Sequence, residues 1–204
     1  PVVKEYTPED VQRLLAGCEL MNAYDPRHDC HVPAVRPSAL RDKAIIVVLV
    51  ASGLRAQELC DLRICDYDNR RGLLIVQKGK GNKGRQVYLG DAARRHLWRY
   101  LASRPAAGKG DALFDVRDGG HMQPGALRWL MVRIGERSGE AGSTLHRFRH
   151  TFAINFLRNG GNLFALQELL GHASLEMVRR YARLAESDLQ EAQRRASVAD
   201  KWRL

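Results

Sequence analysis

The residues whose types could act together in one reaction lie between positions 146 and 181. They are His146, Arg149, His172 and Tyr181, which supply two imidazoles, a guanidinium and a phenol. The attack of a tyrosine on a phosphodiester uses all of these groups, because the phenol is a nucleophile, an imidazole can move its proton and a guanidinium binds the anionic phosphate. Each residue alone is more often a packing or surface residue. The interpretation therefore depends on their occurring together.

A second arginine begins a short predicted helix earlier in the chain. Gly53 ends a buried helix, and Arg55 stands at the start of the next one, predicted at residues 56–62. A guanidinium in this otherwise apolar neighbourhood requires an anionic partner. That partner is either a phosphate or a carboxylate of the same short helix, Glu58 or Asp61, and the residues alone leave both open.

Lysines and glycines alternate at the tip of a predicted hairpin. Strands are predicted at residues 64–67, 73–77 and 85–89 because these segments alternate or carry β-branched residues, and turn-forming residues separate them. The second turn, residues 78–84, combines flexible glycines with positive charge, which suits entry into a DNA groove. A solvated tip that binds phosphate only loosely is the alternative. The predicted DNA-contacting residues are Lys78, Lys83 and Arg85.

These motifs together resemble the catalytic domain of the tyrosine recombinases (phage integrase family). The motifs are residues 53–59 (Gly-Leu-Arg-Ala-Gln-Glu-Leu), 79–83 (Gly-Lys-Gly-Asn-Lys), 146–149 (His-Arg-Phe-Arg), 170–172 (Leu-Gly-His) and Tyr181. They occur in the family's order and at its usual spacings, over roughly residues 38–190. By this resemblance the catalytic residues are Arg55, Lys80, His146, Arg149, His172 and Tyr181.

The resemblance also implies a role for each catalytic group. The two arginines neutralise the non-bridging oxygens of the phosphate, and His146 accepts the proton of Tyr181 as the phenol attacks. Lys80 protonates the departing 5′ oxygen, and His172 hydrogen bonds to the phosphate. The product is a 3′-phosphotyrosyl link that a DNA strand can reseal. This scheme requires no ATP, no metal and no other cofactor.

The charge of the chain favours a polyanionic partner. Lys and Arg number 33 against 23 Asp and Glu, the formal net charge is +10, and the isoelectric point is near 9.8. A cationic face gains affinity by releasing counterions from phosphates, so we expect double-stranded DNA to be the partner. A merely soluble basic protein is the alternative.

Other sequence features indicate a chain of the cytoplasm. The start has no charged and apolar leader, and the longest apolar run, residues 44–51, is far shorter than the 20 or so residues that span a bilayer. Four cysteines in a chain of this length suit a reducing compartment. The group His28, Cys30 and His31 lacks a fourth ligand, so no metal site is predicted. We expect a cytoplasmic, nucleoid-associated bacterial protein.

The expected fold is mainly α with a small antiparallel β-sheet (α+β), the fold of tyrosine recombinase catalytic domains. One catalytic domain is predicted over residues 1–204: an N-terminal helix and loop (1–37), a catalytic core (38–186) and a tail (187–204). Thr7 caps the first helix, and residues 23–37 are expected to be an extended loop. The further predicted helices are residues 38–52, 91–103, 124–138, 146–158 and 163–170, with Ser174 capping a last one that carries Tyr181, and a short strand is predicted at 112–115.

The family normally carries a further DNA-binding domain before the catalytic one, and here only the predicted N-terminal helix and loop (1–37) precede the matching region. The chain is therefore expected to be either a fragment of a longer protein or a naturally minimal recombinase. The tail contains Trp202, which is expected to dock on its own domain or on a neighbouring subunit. The expected function is site-specific recombination or integration by a homo-oligomer, a tetramer when two DNA sites are joined. A type IB topoisomerase and an inactive DNA-binding regulator are the alternatives. Phage integration, transposition of a mobile element and chromosome resolution are not distinguished.

Overall fold

The structure, a computed structural model, describes residues 4–25, 30–77, 84–116, 120–140, 142–171, 176, 181–183 and 197, and for residues 20–25 and 30–33 it describes the backbone alone. Two compact units divide the chain, Pro1–Phe152 and Ala153–Leu204. The helices are α1 (Pro8–Gly17), α2 (Ala39–Ser52), α3 (Ala56–Asp61), α4 (Asp91–Ala102), α5 (Pro124–Ser138), α6 (Leu145–Arg158) and α7 (Leu163–Leu170). The strands are β1 (Leu20–Asp25), β2 (Cys30–Val35), β3 (Tyr67–Asp68), β4 (Leu73–Val76) and β5 (Arg85–Tyr88). The predicted α+β class is confirmed.

Helix α1 begins as its first residues predict. The Thr7 hydroxyl accepts a hydrogen bond from the Asp10 amide (3.2 Å), and the Asp10 carboxylate accepts one from the Thr7 amide (2.9 Å). This capping box satisfies two amides that the helix itself leaves without partners. Leu14 and Cys18 are fully buried, and α1 packs against α5.

The prediction of an extended loop at residues 23–37 is wrong. Strands β1 and β2 pair there as an antiparallel hairpin, with Leu20 opposite Val35 and Asp25 opposite Cys30. Pro33 lies opposite Asn22. Each strand of a two-stranded ribbon has a free edge, so a residue that lacks an amide proton is tolerated there. The prolines of this segment therefore did not exclude strands.

Strands β3, β4 and β5 form an antiparallel sheet in that order, with Leu74 opposite both Tyr67 and Val87. Leu73, Leu74 and Val76 are buried, as the β-branched and leucine-rich pattern predicts. Val76 pairs with Arg85.

The first strand of the sheet starts later than predicted. Residues Ile64–Asp66 form a 3₁₀ turn, and β3 begins only at Tyr67. The amides of Ile64 and Cys65 donate to the carbonyls of Asp111 and Lys109, so this segment bonds to a loop and not to β4. Among the described residues, the strand expected at 112–115 amounts to two isolated bridges, Arg63–Ala112 and Asp115–His121.

Helices α2 and α4 pack against each other and supply much of the first unit's core. In α2, Ile45, Val48 and Leu49 are fully buried. In α4, Leu97 and Ala93 are buried, whereas Ala92 is exposed.

In the second unit, α7 has the predicted bounds. The Asn162 side chain accepts hydrogen bonds from the amides of Phe164 and Ala165 at its start, and Gly171 follows its last turn with a φ of 62°. Leu166 and Leu170 are buried. The predicted cap Ser174 and all of the tail except Ser197 lie outside the described residues.

Within the part of the chain that the structure describes, every helix is too short or too polar to cross a membrane.

Candidate DNA-cleavage site

The start of α6, which carries His146 and Arg149, is held by the N-terminal segment. The Tyr6 hydroxyl lies 2.7 Å from the Ser143 hydroxyl and accepts a hydrogen bond from the Thr144 amide. The Tyr6 amide in turn donates to the Thr151 hydroxyl at 2.8 Å. Tyr6 is buried, and this burial raises the pKa of its phenol, which therefore stays neutral and keeps these bonds.

Arg147 packs against the same segment. Its guanidinium lies 3.8 Å from the centre of the Tyr6 ring, pairs with Asp10 at 3.1 Å and donates to the Lys4 carbonyl. Glu140 is a further ionic partner at 3.7 Å. These contacts make Arg147 a packing residue of the first unit.

Arg149 joins α6 to the end of α2. Its side chain is buried, and its Nη1 donates to the Gly53 carbonyl at 2.9 Å, although 96 residues separate the two in the chain. Gly53 has a left-handed φ of 60° that ends α2. A residue with a Cβ adopts this backbone conformation only at a cost of about 1 kcal/mol.

Arg55 follows Gly53 by two residues and is the N-cap of α3. Its amide donates to Glu58 Oε2 at 2.8 Å and its Nη1 to Glu58 Oε1 at 2.9 Å. The carboxylate partner that the sequence left open is therefore present. Even so, the Arg55 side chain is 45% exposed, so much of it remains accessible to an anion. The backbone turn at residues 53–55 thus contacts one candidate arginine and carries the other.

Glu58 also binds Arg85, the first residue of β5. Both terminal nitrogens of Arg85 donate to the two carboxylate oxygens at 2.7 Å, and the Arg85 side chain is only 9% exposed. Burial raises the pKa of the Glu58 carboxyl, but the hydrogen bonds from Arg85 and from the Arg55 amide outweigh this and lower it to about 2. Glu58 is therefore ionised at neutral pH.

His146 is exposed and pairs with His150 one turn later. The two Nε2 atoms are 3.0 Å apart, and the rings meet edge to face. In such a hydrogen bond one nitrogen carries the proton and the other accepts it. Arg149 and His150 are three and four residues after His146, so all three side chains lie on one face of α6.

The remaining predicted residues are less fully described. Tyr181 belongs to the second unit, and its side chain is buried. Lys80, His172, Lys78 and Lys83 lie outside the described residues. Their catalytic and DNA-binding roles stay predictions.

Sequence reasoning missed three contributors near these side chains. Gly53 was recognised as a helix terminator and not as the acceptor for Arg149. His150 was assigned to packing or phosphate contact, although its spacing from His146 could have indicated the pair. Arg85 was assigned to DNA, and its partner Glu58 was considered only for Arg55.

Comparison with known proteins identifies the family. The model of the phage integrase family matches residues 5–188. The chain belongs to the phage integrase family. Its similarity to the tyrosine recombinase XerA of Thermococcus kodakarensis is 34% identity over 203 residues, which cover 97% of this chain and 64% of that protein.

Two solved structures show the same fold. The XerA recombinase crystal structure matches with a TM-score of 0.75 and 28% identity, over 95% of this chain and 65% of that one. The XerH site-specific recombinase, crystallised with palindromic difH substrate in a post-cleavage complex, matches with a TM-score of 0.69 and 25% identity, over 98% of this chain and 54% of that one. This integrase-family chain thus spans less than two thirds of the length of each of these three relatives.

Proposed function

We propose that this chain is the strand-cleaving part of a site-specific DNA recombinase and that Tyr181 is its nucleophile. Family membership and the likeness to XerA and XerH support this. The observation that carries it is the hydrogen bond from Arg149 to the Gly53 carbonyl, two residues before Arg55. It brings α6 to the backbone turn that bears the second arginine.

In the proposed reaction the Tyr181 phenol attacks the phosphorus, and a P–O bond to the tyrosine forms. Arg55 and Arg149 neutralise the non-bridging oxygens, because guanidiniums keep their charge and can present two donors in one plane. His146 accepts the phenol proton, since a free tyrosine, with a pKa of about 10, loses it only during the attack.

The bond from phosphorus to the 5′ oxygen breaks in the same step. Lys80 gives its proton to that oxygen, and His172 hydrogen bonds to the phosphate. The products are a 3′-phosphotyrosyl link and a free 5′ hydroxyl, and attack by a 5′ hydroxyl reverses the step. The phosphoester energy is kept in the protein link, so rejoining needs no nucleotide.

The proposed partner is double-stranded DNA, with Lys78 and Lys83 contacting the backbone. The proposed assembly is a homo-oligomer on DNA, a tetramer when two sites are held together, as the family resemblance implies. The excess of positive charge supports a DNA partner.

The test is covalent trapping on nicked duplex DNA. A pool of nicked duplexes with a randomised centre is incubated with the chain, denatured in SDS and resolved on a gel. The nick releases the cleaved fragment, so the covalent intermediate accumulates. Bound DNA is then sequenced, and the modified residue is located by mass spectrometry.

We expect a slowly migrating adduct with the wild type, located at Tyr181, and none with Tyr181→Phe. Arg149→Lys is expected to lower its rate by about 100-fold, since an ammonium cannot replace the planar donor set. An adduct at another residue, or equal amounts with Tyr181→Phe, contradicts the assignment. DNA binding without any adduct favours the inactive regulator.

A further inference from the structure

The Glu58 carboxylate is shared between two arginines. Arg85 gives it two hydrogen bonds at 2.7 Å, and Arg55 gives it one from its amide and one from its guanidinium. One negative charge thus faces two positive charges, and the trio carries a net charge of +1. The exposures of the two arginine side chains differ: 9% for Arg85 and 45% for Arg55.

The arrangement of donors shows how the two arginines differ. Arg85 meets the carboxylate with both terminal nitrogens, the planar two-bond geometry that is the strongest available to this pair. Arg55 uses only Nη1 of its guanidinium on Glu58. Arg85 therefore supplies two of the three guanidinium hydrogen bonds to the Glu58 carboxylate. Arg55 supplies the third, through a single nitrogen.

Removal of Arg85 would change this balance. A carboxylate that is 13% exposed and has lost its main partner attracts the nearest cation. That cation is Arg55, which is already in contact. The Arg55–Glu58 pair would then be neutral as a whole, and the guanidinium would be drawn closer to the carboxylate.

We propose that Arg85 is a positioning residue that occupies Glu58, so that Glu58 holds the exposed Arg55 guanidinium through one nitrogen only and does not draw it away from a DNA phosphate. This inference rests on the proposed function, in which Arg55 binds the phosphate being cleaved. It gives Arg85 a role within the protein, different from the direct DNA contact that its place beside the lysine-rich turn predicted.

The test compares Arg85→Met, Glu58→Gln and the double variant in the trapping assay. Arg85→Met is expected to slow adduct formation by about 10- to 100-fold. The added Glu58→Gln change removes the negative charge that would attract Arg55. We therefore expect the double variant to form the adduct at least about ten-fold faster than Arg85→Met, or as fast as Glu58→Gln alone. Urea denaturation of Arg85→Met under the assay conditions checks separately that this chain is folded.

Arg85→Lys and Arg71→Met are the matched controls. An ammonium binds a phosphate well but cannot make the two-bond pair, so Arg85→Lys is slow if Arg85 acts through Glu58 and near the wild type if it contacts DNA. Arg71 is exposed in the turn between β3 and β4 and loses the same charge. Its Met variant is expected to cleave within about two-fold of the wild type.

A second measurement follows Arg55 without catalysis. Phenylglyoxal modifies exposed guanidiniums, and mass spectrometry gives the modified fraction of Arg55. We expect this fraction to fall in Arg85→Met and to return in the double variant. A double variant no faster than Arg85→Met, or unchanged Arg55 modification, overturns the proposal. Absence of any wild-type adduct alongside the expected Arg55 modification contradicts the proposed function, and leaves Arg85 as the residue that holds Glu58.

Discussion

The 3.0 Å distance between the Nε2 atoms of His146 and His150 limits the proton states of the two rings. Both rings cannot be fully protonated while this hydrogen bond exists, because one nitrogen must offer a lone pair. The bond also restricts the rotation of the exposed His146 ring. A base that is held in one orientation loses less entropy when it meets its proton donor.

We predict that His150→Phe slows adduct formation by about ten-fold, since the exposed His146 ring loses the partner that orients it. His150→Gln is the matched control, because its amide reaches the same turn and can either donate or accept. Single-turnover rates on a nicked duplex measure both. Equal rates for His150→Phe and the wild type would mean that the histidine pair has no part in the reaction.

The cysteine side chains give a residue-level check of the core. Cys18 and Cys60 are buried, and burial raises the pKa of their thiols to about 12 and about 11, whereas Cys65 is exposed. The thiolate is the reactive form, so at pH 8 we expect N-ethylmaleimide to modify Cys65 rapidly and the other two only after unfolding in urea. Mass spectrometry of the labelled peptides measures this. Native labelling of Cys18 at the rate of Cys65 would contradict the packing of α1.

At the scale of elements, Glu58 connects α3 with β5, and the connection depends on its charge. The pKa of its carboxyl is about 2 in the folded chain and near 4.5 without a fold. A group whose pKa is lowered by folding contributes stability above its unfolded value and loses that contribution as the pH falls through the folded one. The connection is therefore at full strength above about pH 4.5 and weakens toward pH 2.

We predict that the free energy of unfolding of Glu58→Gln is lower than that of the wild type at pH 6. The difference is expected to shrink as the pH falls from about 4.5 to 2, because the wild-type carboxyl becomes protonated there. Urea denaturation at a series of pH values measures it. A difference that is constant with pH would show that the charge of Glu58 contributes nothing to the fold.

We make a second stability prediction for the contact between Tyr6 in the N-terminal segment and the residues that precede α6. Tyr6→Phe leaves the Ser143 hydroxyl and the Thr144 amide without their bond to the phenol, and we expect a loss of about 1–3 kcal/mol in urea denaturation. Tyr88→Phe is the control: its side chain is exposed, and its hydroxyl makes a long bond of 3.4 Å to Gln86. If both variants lose the same free energy of unfolding, the hydrogen bonds of the Tyr6 hydroxyl stabilise the fold no more than those of an exposed tyrosine.

Local patterns predicted the elements whose ends are set by neighbouring residues. Helix α1 starts after Thr7 as predicted, and α5 and α7 have the predicted bounds, because caps and first-turn prolines act within four residues. The β1–β2 hairpin was missed because Pro33 is tolerated in a strand only where the ribbon has a free edge.

Local patterns are limited in the same way at the candidate site. Spacing placed His146 and Arg149 on one helical face, but the bond from Arg149 to Gly53 joins distant parts of the chain, and no local pattern predicts it.

For the whole molecule, we expect the formal charge of +10 to govern affinity for the proposed DNA partner. Each phosphate contacted by a cation releases counterions, so the affinity falls with salt in proportion to the number of contacts. For about six contacts, the loss between 50 and 200 mM salt is expected to be about a thousand-fold.

We predict that fluorescence anisotropy on duplex DNA shows a steep linear fall of log affinity with log salt. Tyr181→Phe should have the same slope, since the phenol carries no charge to exchange for counterions. A slope near zero would mean that the basic residues do not face the DNA, whatever the result of the cleavage assay.

The left-handed turn at Gly53 constrains how this protein can be stabilised. Replacement of a glycine by alanine commonly stabilises a helix only where the backbone suits alanine, and Gly53, with a φ of 60°, is not such a position because a Cβ there costs about 1 kcal/mol. Here the carbonyl of that glycine also receives Arg149. A residue that straightened the turn and continued α2 would move the acceptor. Stability of the fold and the proposed DNA cleavage therefore both favour glycine at position 53.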